Sequence, residues 1–379
     1  MEQKSEKVFF PNLDGLRFLA FFIVLLRHCG FTEYEHIQNN VYYEFIRKNI
    51  FYNGALGVNF FFVLSGFLIT YLLLNEKSIF KKVSVGAFYV RRILRIWPVY
   101  YLVLIIGFVL LPFFKSMMGI NESVNANPWY FIFYLSNFHS VYLNPPDSPV
   151  LDRLWSIAVE EQFYLVWPLV IGLFSVRALP YIFSLLLIIS GVFRFIYVAD
   201  INYIATHTIV SMSDLVIGSW AAYLCFTNEK FLSFFKNLSK FKIGIIYFLL
   251  LFPLLFREAY LPYIKYPLLF EMINGLLFCL VILEQNYSKN SFFKMSNFKW
   301  ISKWGVWTYG LYCYHAFGIY AAILISKKLG FNTTTFNVLV TDTLIALTVS
   351  LLISWFSYKY FETPFLRLKN KLQKVKAHQ

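Results

Sequence analysis

Ten apolar segments run through the chain and constrain its fold more than any other feature. They lie near residues 14–33, 54–74, 94–114, 154–175, 179–198, 208–226, 243–262, 266–284, 304–326 and 338–360. A helix needs about 20 mostly apolar residues to cross the hydrocarbon core of a bilayer. The pattern therefore predicts an all-α, polytopic integral membrane protein with about ten transmembrane helices, and the lipid bilayer as its surroundings.

The overall composition excludes an ordinary soluble domain and a disordered chain. Apolar residues make up 59% of the sequence and charged residues only 14%, whereas soluble domains carry about 25% charged residues. The net charge is +14, but the basic residues lie between the apolar segments. Such a distribution is typical of membrane topology signals, so we expect no nucleic acid partner.

The basic residues also predict the orientation of the helices. If both termini are cytoplasmic, the cytoplasmic segments hold 24 of the 34 Lys and Arg residues, as the positive-inside rule requires. The first apolar segment, which starts at Leu16, contains Arg17 and Arg27 and lacks a small-residue cleavage site. We therefore expect no cleavable signal peptide.

The spacing of the segments predicts one domain. We expect a single membrane domain over residues 1–379, with a basic cytoplasmic tail at 367–379 and longer outer segments at 34–53 and 115–153. The four cysteines are far apart and form no CxxC or His/Cys cluster, so neither a disulfide framework nor a metal site is expected.

Two ionisable residues of the first helix form the first candidate site. Arg17 and His28 are 11 residues apart, which is about three helical turns, so both face one side and lie about 16 Å apart along the axis. Arg17 lies near the cytoplasmic edge and His28 deeper. The alternatives are an arginine that snorkels to the interface and a histidine that only bonds a neighbouring helix.

A group of three arginines precedes the third apolar segment. Arg91 and Arg95 are four residues apart, and Arg92 lies between them in the sequence. Forked guanidinium donors on neighbouring turns of one helix can bind several phosphate oxygens. The alternative is a positive-inside anchor without a ligand.

Two adjacent carboxylates and an amide begin the fourth helix near its outer end. Glu160, Glu161 and Gln162 are not needed for spanning a bilayer, and ionisable groups in membrane helices usually mark function. Successive residues of a helix point 100° apart, so the two carboxylates cannot share one partner. Which of them is functional stays open. The alternatives are stabilisation of the helix end and a structural ion pair of one carboxylate with Arg153 or Arg194.

Six motifs in order give the chain a resemblance to a known family. They are Asn12–Arg17 with His28, Gly57–Ile69, Arg91–Pro98, Leu154–Tyr164, Tyr309–His315 and Tyr358–Phe365. Over residues 9–366 the chain resembles the membrane-bound acyltransferase-3 family, which includes O-acetyltransferases of bacterial lipopolysaccharide, peptidoglycan and exopolysaccharide. It departs from the pattern at Phe317, where a proline is common. Many relatives carry an appended extracytoplasmic domain, and this chain is expected to be the stand-alone form.

The resemblance implies a function and roles for individual residues. It implies an O-acyltransferase of the bacterial inner membrane that moves an acyl group, usually acetyl, from cytoplasmic acyl-CoA to a hydroxyl of a glycan or lipid-linked sugar. Acetyl-CoA would be a substrate, and no permanently bound cofactor is expected. The implied catalytic residues are His28 as base with Glu160 or Glu161 to orient its ring. The implied donor-binding residues are Arg17, Arg91, Arg92 and Arg95, and the implied substrate-binding residues are Asp14, Ser65, Trp155, Gln162, Tyr164, Tyr312 and His315.

Three points stay open at this stage. A transporter or flippase of a lipid-linked sugar is the alternative to an enzyme, because buried charges among ten helices also fit that class. The residues do not identify the acceptor or the length of the acyl chain. Direct transfer and an acyl-enzyme intermediate are both compatible with the motifs.

Overall fold

A helix occupies each of the ten predicted apolar segments. The computed structural model describes residues 10–119, 124–256 and 267–368, and contains no strand within them. Residues 369–379 of the predicted tail and the end of the predicted segment 243–262 lie outside the described residues. The ten helices are α1 (Asn12–His28), α2 (Gly54–Phe80), α3 (Val85–Ile105), α4 (Trp155–Leu173), α5 (Leu179–Ile196), α6 (Thr208–Thr227), α7 (Lys240–Leu255), α8 (Pro267–Tyr287), α9 (Thr308–Leu329) and α10 (Asp342–Phe356).

Shorter elements connect and extend these helices. π-helical turns continue α3 at Ile106–Leu110 and flank α10 at Asn337–Thr341 and Ser357–Glu362. The remaining short helices are Glu35–Gln38, Val41–Asn49, Phe51–Asn53, Leu111–Met117, Pro128–Ile132, Ser136–Tyr142, Asp152–Leu154, Ile201–Thr206, Glu229–Lys236, Met295–Asn297 and Lys299–Val306.

The described helices are those of a multi-pass membrane protein. Seven helical segments are long and apolar enough to cross a bilayer, and an eighth is obtained if Glu229–Lys236 and α7, bent by 90°, form one span. α1 has 17 residues, and the segment Met272–Tyr287 of α8 is a shorter apolar helix. The all-α membrane architecture is therefore confirmed, whereas the cytoplasmic location of both termini stays a prediction.

α2 is the central helix beside the site, because glycines let it approach two neighbours closely. A Cβ atom on Gly66 would overlap the carbonyl oxygen of Leu215 in α6, and one on Gly57 would lie 2.5 Å from the carbonyl oxygen of Ala20 in α1. Small residues at such crossings allow close packing in membrane helices. The contacts hold α2 between α1 and α6 and leave Ser65 directed at α4.

The segment after α1 packs over the end of that helix. Arg47 donates a 2.7 Å hydrogen bond from Nη1 to the carbonyl of Cys29, and the Tyr43 hydroxyl donates to the carbonyl of Gly30 over 2.8 Å. Carbonyls at a helix C-terminus lack partners within the helix, so these bonds stabilise its end. They fix His28 as the last residue of α1.

Candidate active site

A cavity of about 470 Å³ lies among α1, α2, α3, α4 and the first turns of α9. Its wall is largely apolar, with charged and hydroxyl side chains on several helices. Nine of the predicted site residues line it, although they come from distant parts of the sequence: Asp14, Arg17, Ser65, Arg91, Arg92, Arg95, Glu160, Tyr164 and Tyr312.

Four arginines form the basic wall of this cavity. Arg17 is paired with Asp14 within α1, and Arg91 lies 3.5 Å from the carboxylate of Glu76. In the part of the chain that the structure describes, no carboxylate lies within ion-pair distance of Arg92 or Arg95. These two guanidinium groups therefore keep charge and donors for a ligand.

Two side chains of α4, Glu160 and Tyr164, line the cavity beside the arginines. Glu160 accepts a 2.6 Å hydrogen bond at Oε1 from the Ser65 hydroxyl, and the Tyr164 hydroxyl donates to Ser65 over 3.1 Å. The Arg92 guanidinium lies over the Tyr164 ring, 4.9 Å from its centroid. A carboxylate and an arginine thus share one wall without a direct ion pair.

Glu161 points away from this cavity, as the 100° helical step requires. Its Oε2 accepts a 3.1 Å hydrogen bond from the Trp97 indole. Of the adjacent carboxylates, Glu160 alone is a wall residue of the cavity. The geometry thus separates the two residues that the sequence left equivalent.

His28 lies beside a second histidine, not beside a carboxylate. The ring centroids of His28 and His315 are 5.4 Å apart. His315 is fully buried, and its Nδ1 lies 2.7 Å from the Tyr312 carbonyl. A carbonyl only accepts hydrogen bonds, so Nδ1 carries the proton and Nε2 keeps its lone pair. His315, predicted to bind substrate, is thus the neighbour of the predicted base.

This arrangement differs from the expected pairing of His28 with a carboxylate. Among the described residues, no hydrogen bond joins His28 to Glu160 or Glu161, because those carboxylates face Ser65 and Trp97. His28 is also absent from the wall of the cavity. It is half-buried at the end of α1.

Tyr312 separates the cavity from the histidine pair. Its hydroxyl lies 2.5 Å from the Ser156 hydroxyl of α4, and both residues line the cavity. On its other side the Tyr312 ring lies 5.9 Å from the His315 ring, centroid to centroid. The cavity therefore ends one layer of side chains before the two imidazoles.

Gln162 and Trp155, predicted to bind substrate, make contacts within the helix bundle. The Gln162 amide donates to the Tyr134 carbonyl over 2.8 Å and to Asn137 Oδ1 over 2.9 Å, and its oxygen accepts from Thr208 over 2.5 Å. The Trp155 ring packs edge-on against Phe62. Neither side chain lines the cavity.

Sequence reasoning missed two residues near the histidine pair, Ser156 and Arg153. Ser156 lies in the Leu154–Tyr164 motif, but a small hydroxyl residue usually indicates helix packing. Arg153 was expected only as an ion-pair partner of Glu160 or Glu161, and neither carboxylate lies within ion-pair distance of it. In the structure its Nε and Nη1 atoms are buried and have no hydrogen-bond partner among the described residues.

Comparisons with known proteins agree with this geometry. A family model described as an acyltransferase domain matches residues 10–359. The peptidoglycan O-acetyltransferase OatA of Listeria monocytogenes is 33% identical over 173 residues, 44% of this chain and 24% of that protein. The putative peptidoglycan O-acetyltransferase YrhL of Bacillus subtilis is 25% identical over 379 residues, 94% of this chain and 55% of that protein. The O-acetyltransferase OatA of Staphylococcus aureus is 31% identical over 185 residues, 48% of this chain and 28% of that protein.

The matches cover only part of each relative, but the family model covers most of this chain. The chain spans at most about half the length of these curated relatives, and no solved structure matches it. The family model, however, extends over nearly all of the described bundle and over each helix that lines the cavity. The chain belongs to the acyltransferase-3 family.

Proposed function

We propose that this chain is a membrane O-acetyltransferase that uses acetyl-CoA to acetylate a hydroxyl of a glycan or lipid-linked sugar beyond the membrane. Membership of the family and the names of the relatives support acyl transfer. The observation that carries the proposal is the single cavity that joins four arginines to Tyr312, behind which the two histidines lie.

The arginine wall is suited to the phosphates of the donor. Coenzyme A carries a diphosphate and a 3′-phosphate, and guanidinium groups bind phosphate oxygens through charge-assisted hydrogen bonds. Arg92 and Arg95 have no carboxylate partner among the described residues. The pantetheine arm then has to carry the thioester from Arg17 to His28, a distance of about 16 Å along α1. Ser65, Glu160 and Tyr164 line that path and offer hydrogen bonds to the amides of the pantetheine arm.

The histidine pair supplies the proton transfer. His28 takes the proton of the acceptor hydroxyl as that oxygen attacks the thioester carbonyl carbon. The carbon–sulfur bond breaks, and the departing thiolate receives the proton from the imidazolium. A positioned general base of this kind accelerates a reaction by about 10²–10⁴-fold. His315, whose Nδ1 is held by the Tyr312 carbonyl, lies beside the His28 ring where a carboxylate was expected.

The names of the relatives indicate which acceptor to test first. Two of them are named for peptidoglycan, which makes a peptidoglycan sugar the first acceptor to test and a bacterial cytoplasmic membrane the expected location. Lipopolysaccharide and exopolysaccharide sugars are the next candidates. A transporter or flippase is less favoured, because it does not require an arginine wall that leads to a histidine pair.

Transfer in a reconstituted membrane tests the proposal. The purified chain is placed in proteoliposomes with radiolabelled acetyl-CoA on one side and soluble peptidoglycan fragments on the other. We expect alkali-labile label on the fragments that depends on the protein. Movement of a lipid-linked sugar without consumption of acetyl-CoA would instead identify a transporter.

A further inference from the structure

Arg153 is a half-buried arginine that the proposed transfer does not yet use. It lies in the short helix Asp152–Leu154, directly before α4. The Tyr312 hydroxyl donates a 3.3 Å hydrogen bond to its backbone carbonyl. The Tyr312 ring lies 5.9 Å from the His315 ring, and the His315 ring lies 5.4 Å from the His28 ring, centroid to centroid.

The side chain of Arg153 lacks partners for its donors. Nε and Nη1 are buried and make no hydrogen bond to any residue that the structure describes. A buried donor without a partner costs about 1–3 kcal/mol, and more when it carries charge. Both atoms are donors of a guanidinium group, so the missing partner is a hydrogen-bond acceptor.

No described carboxylate supplies that partner. Glu160 bonds to Ser65 and Glu161 to Trp97. Asp152 is adjacent in the sequence, but its carboxylate is not within ion-pair distance of the Arg153 guanidinium. A ligand that brings negatively charged oxygen would pair the charge and satisfy the donors together.

We propose that Arg153 binds an anionic group of the acceptor, a carboxylate or a phosphate, and so selects acidic glycans or phosphate-linked sugars as acceptors. The inference rests on the proposed function and names the substrate class of that site.

The position of Arg153 assigns it to the acceptor and not to the donor. The donor phosphates have Arg17, Arg91, Arg92 and Arg95 in the cavity, and the contact between Tyr312 and Ser156 ends that cavity before Arg153. Arg153 lies outside the wall of that cavity, where Tyr312 connects it through His315 to the half-buried His28. A hydroxyl that reaches His28 from that side brings its neighbouring substituents to the guanidinium.

The test compares matched acidic and neutral acceptors. The first pair is a disaccharide with a free uronate and the same disaccharide as its uronamide. The second pair is polyprenyl phosphate and polyprenol in the same vesicles. The two pairs separate a glycan source of the anion from a lipid source. We expect the wild-type kcat/KM to favour the acidic member of one pair. Arg153→Gln should lower that preference about 10- to 100-fold, as expected for a lost charge-assisted hydrogen bond, and Arg153→Lys should lower it less.

Arg27→Gln is the matched control. Arg27 is exposed at the same end of α1 and stacks over Tyr52, 4.8 Å from the ring centroid. Its loss removes one positive charge near His28 without touching Arg153, so the preference for acidic acceptors should stay within about twofold of wild type. If both variants lost the preference for acidic acceptors equally, the preference would come from the total positive charge near His28. That result would contradict the inference.

Binding without turnover separates this inference from the proposed function. The dissociation constants of uronate and uronamide disaccharides are measured on the protein in nanodiscs, with no acetyl-CoA present. A wild-type preference for the uronate that Arg153→Gln removes supports the anion site even if no acetyl transfer is detected. Acetyl transfer with equal use of acidic and neutral acceptors would instead leave the enzyme intact and overturn the role of Arg153.

Discussion

The Tyr312 hydroxyl lies 2.5 Å from the Ser156 hydroxyl and joins α9 to α4 at the end of the arginine-lined cavity. Because Tyr312 already donates to the Arg153 carbonyl, the Ser156 hydroxyl is the donor of the pair. The histidines lie behind this contact. If the chain transfers acyl groups as proposed, the contact has to open for a thioester to reach His28.

We therefore predict that Tyr312→Phe uncouples donor use from transfer. The variant loses both hydrogen bonds of the hydroxyl, and a neutral hydrogen bond contributes about 0.5–1.5 kcal/mol. The contact between residues 312 and 156 should therefore open several-fold more often. Acceptor-independent hydrolysis of acetyl-CoA, measured as release of free thiol, should rise. Ser156→Ala removes the same contact from the other side and should give a similar increase. A rise in Tyr312→Phe alone would assign the effect to the Arg153 carbonyl.

His28→Gln should lower acetyl transfer by about 10²–10⁴-fold, because glutamine keeps hydrogen bonding without a basic nitrogen. The variant should insert and fold normally, since one hydrogen bond in a membrane helix contributes about 0.6 kcal/mol. His36→Gln is the control, since His36 is exposed and contacts the Thr333 carbonyl. Near-normal turnover in His28→Gln would require another base, and His315 would be the first to test.

Arg95→Ala should raise the apparent KM for acetyl-CoA about tenfold and leave the KM for the acceptor within about twofold, because a charge-assisted hydrogen bond contributes about 1.5–3 kcal/mol. Lys82→Ala is the control: it also removes an exposed positive charge, from the segment between α2 and α3, but Lys82 does not line the cavity. If both variants kept the wild-type donor KM at normal protein levels, the arginines would be topology anchors.

The orientation of the bundle can be measured by cysteine labelling. We predict that cysteines placed at Lys81, Lys236 and Lys299 face the cytoplasm, as do those at Lys4 and Lys374 outside the described residues. The four native cysteines are buried, so the background with a membrane-impermeant maleimide should be low. Labelling of any of these positions in intact cells would contradict the positive-inside assignment.

The sequence predicted the helices and most of the cavity because both depend on local patterns. Apolar segments of sufficient length specify spans, and an arginine cluster between spans specifies a basic site. The neighbour of His28 could not be predicted because it depends on which helices pack together, and here α9 rather than α4 brings a side chain to the end of α1. The unpartnered donors of Arg153 were equally hidden, because they become visible only when its neighbours in space are known.

Gln162 gives a test of that distinction between local pattern and packing. If Gln162 binds substrate, its replacement by alanine should raise the acceptor KM without loss of stability. The structure instead uses all of its amide hydrogen bonds to hold Tyr134, Asn137 and Thr208 together. We predict that Gln162→Ala lowers the melting temperature and speeds proteolysis within residues 124–153, since unsatisfied buried groups cost about 1–3 kcal/mol each. Thr208→Val, which removes only one of these bonds, should have a smaller effect in the same direction. A Gln162→Ala variant with wild-type melting and proteolysis but a raised acceptor KM would restore the substrate-binding role.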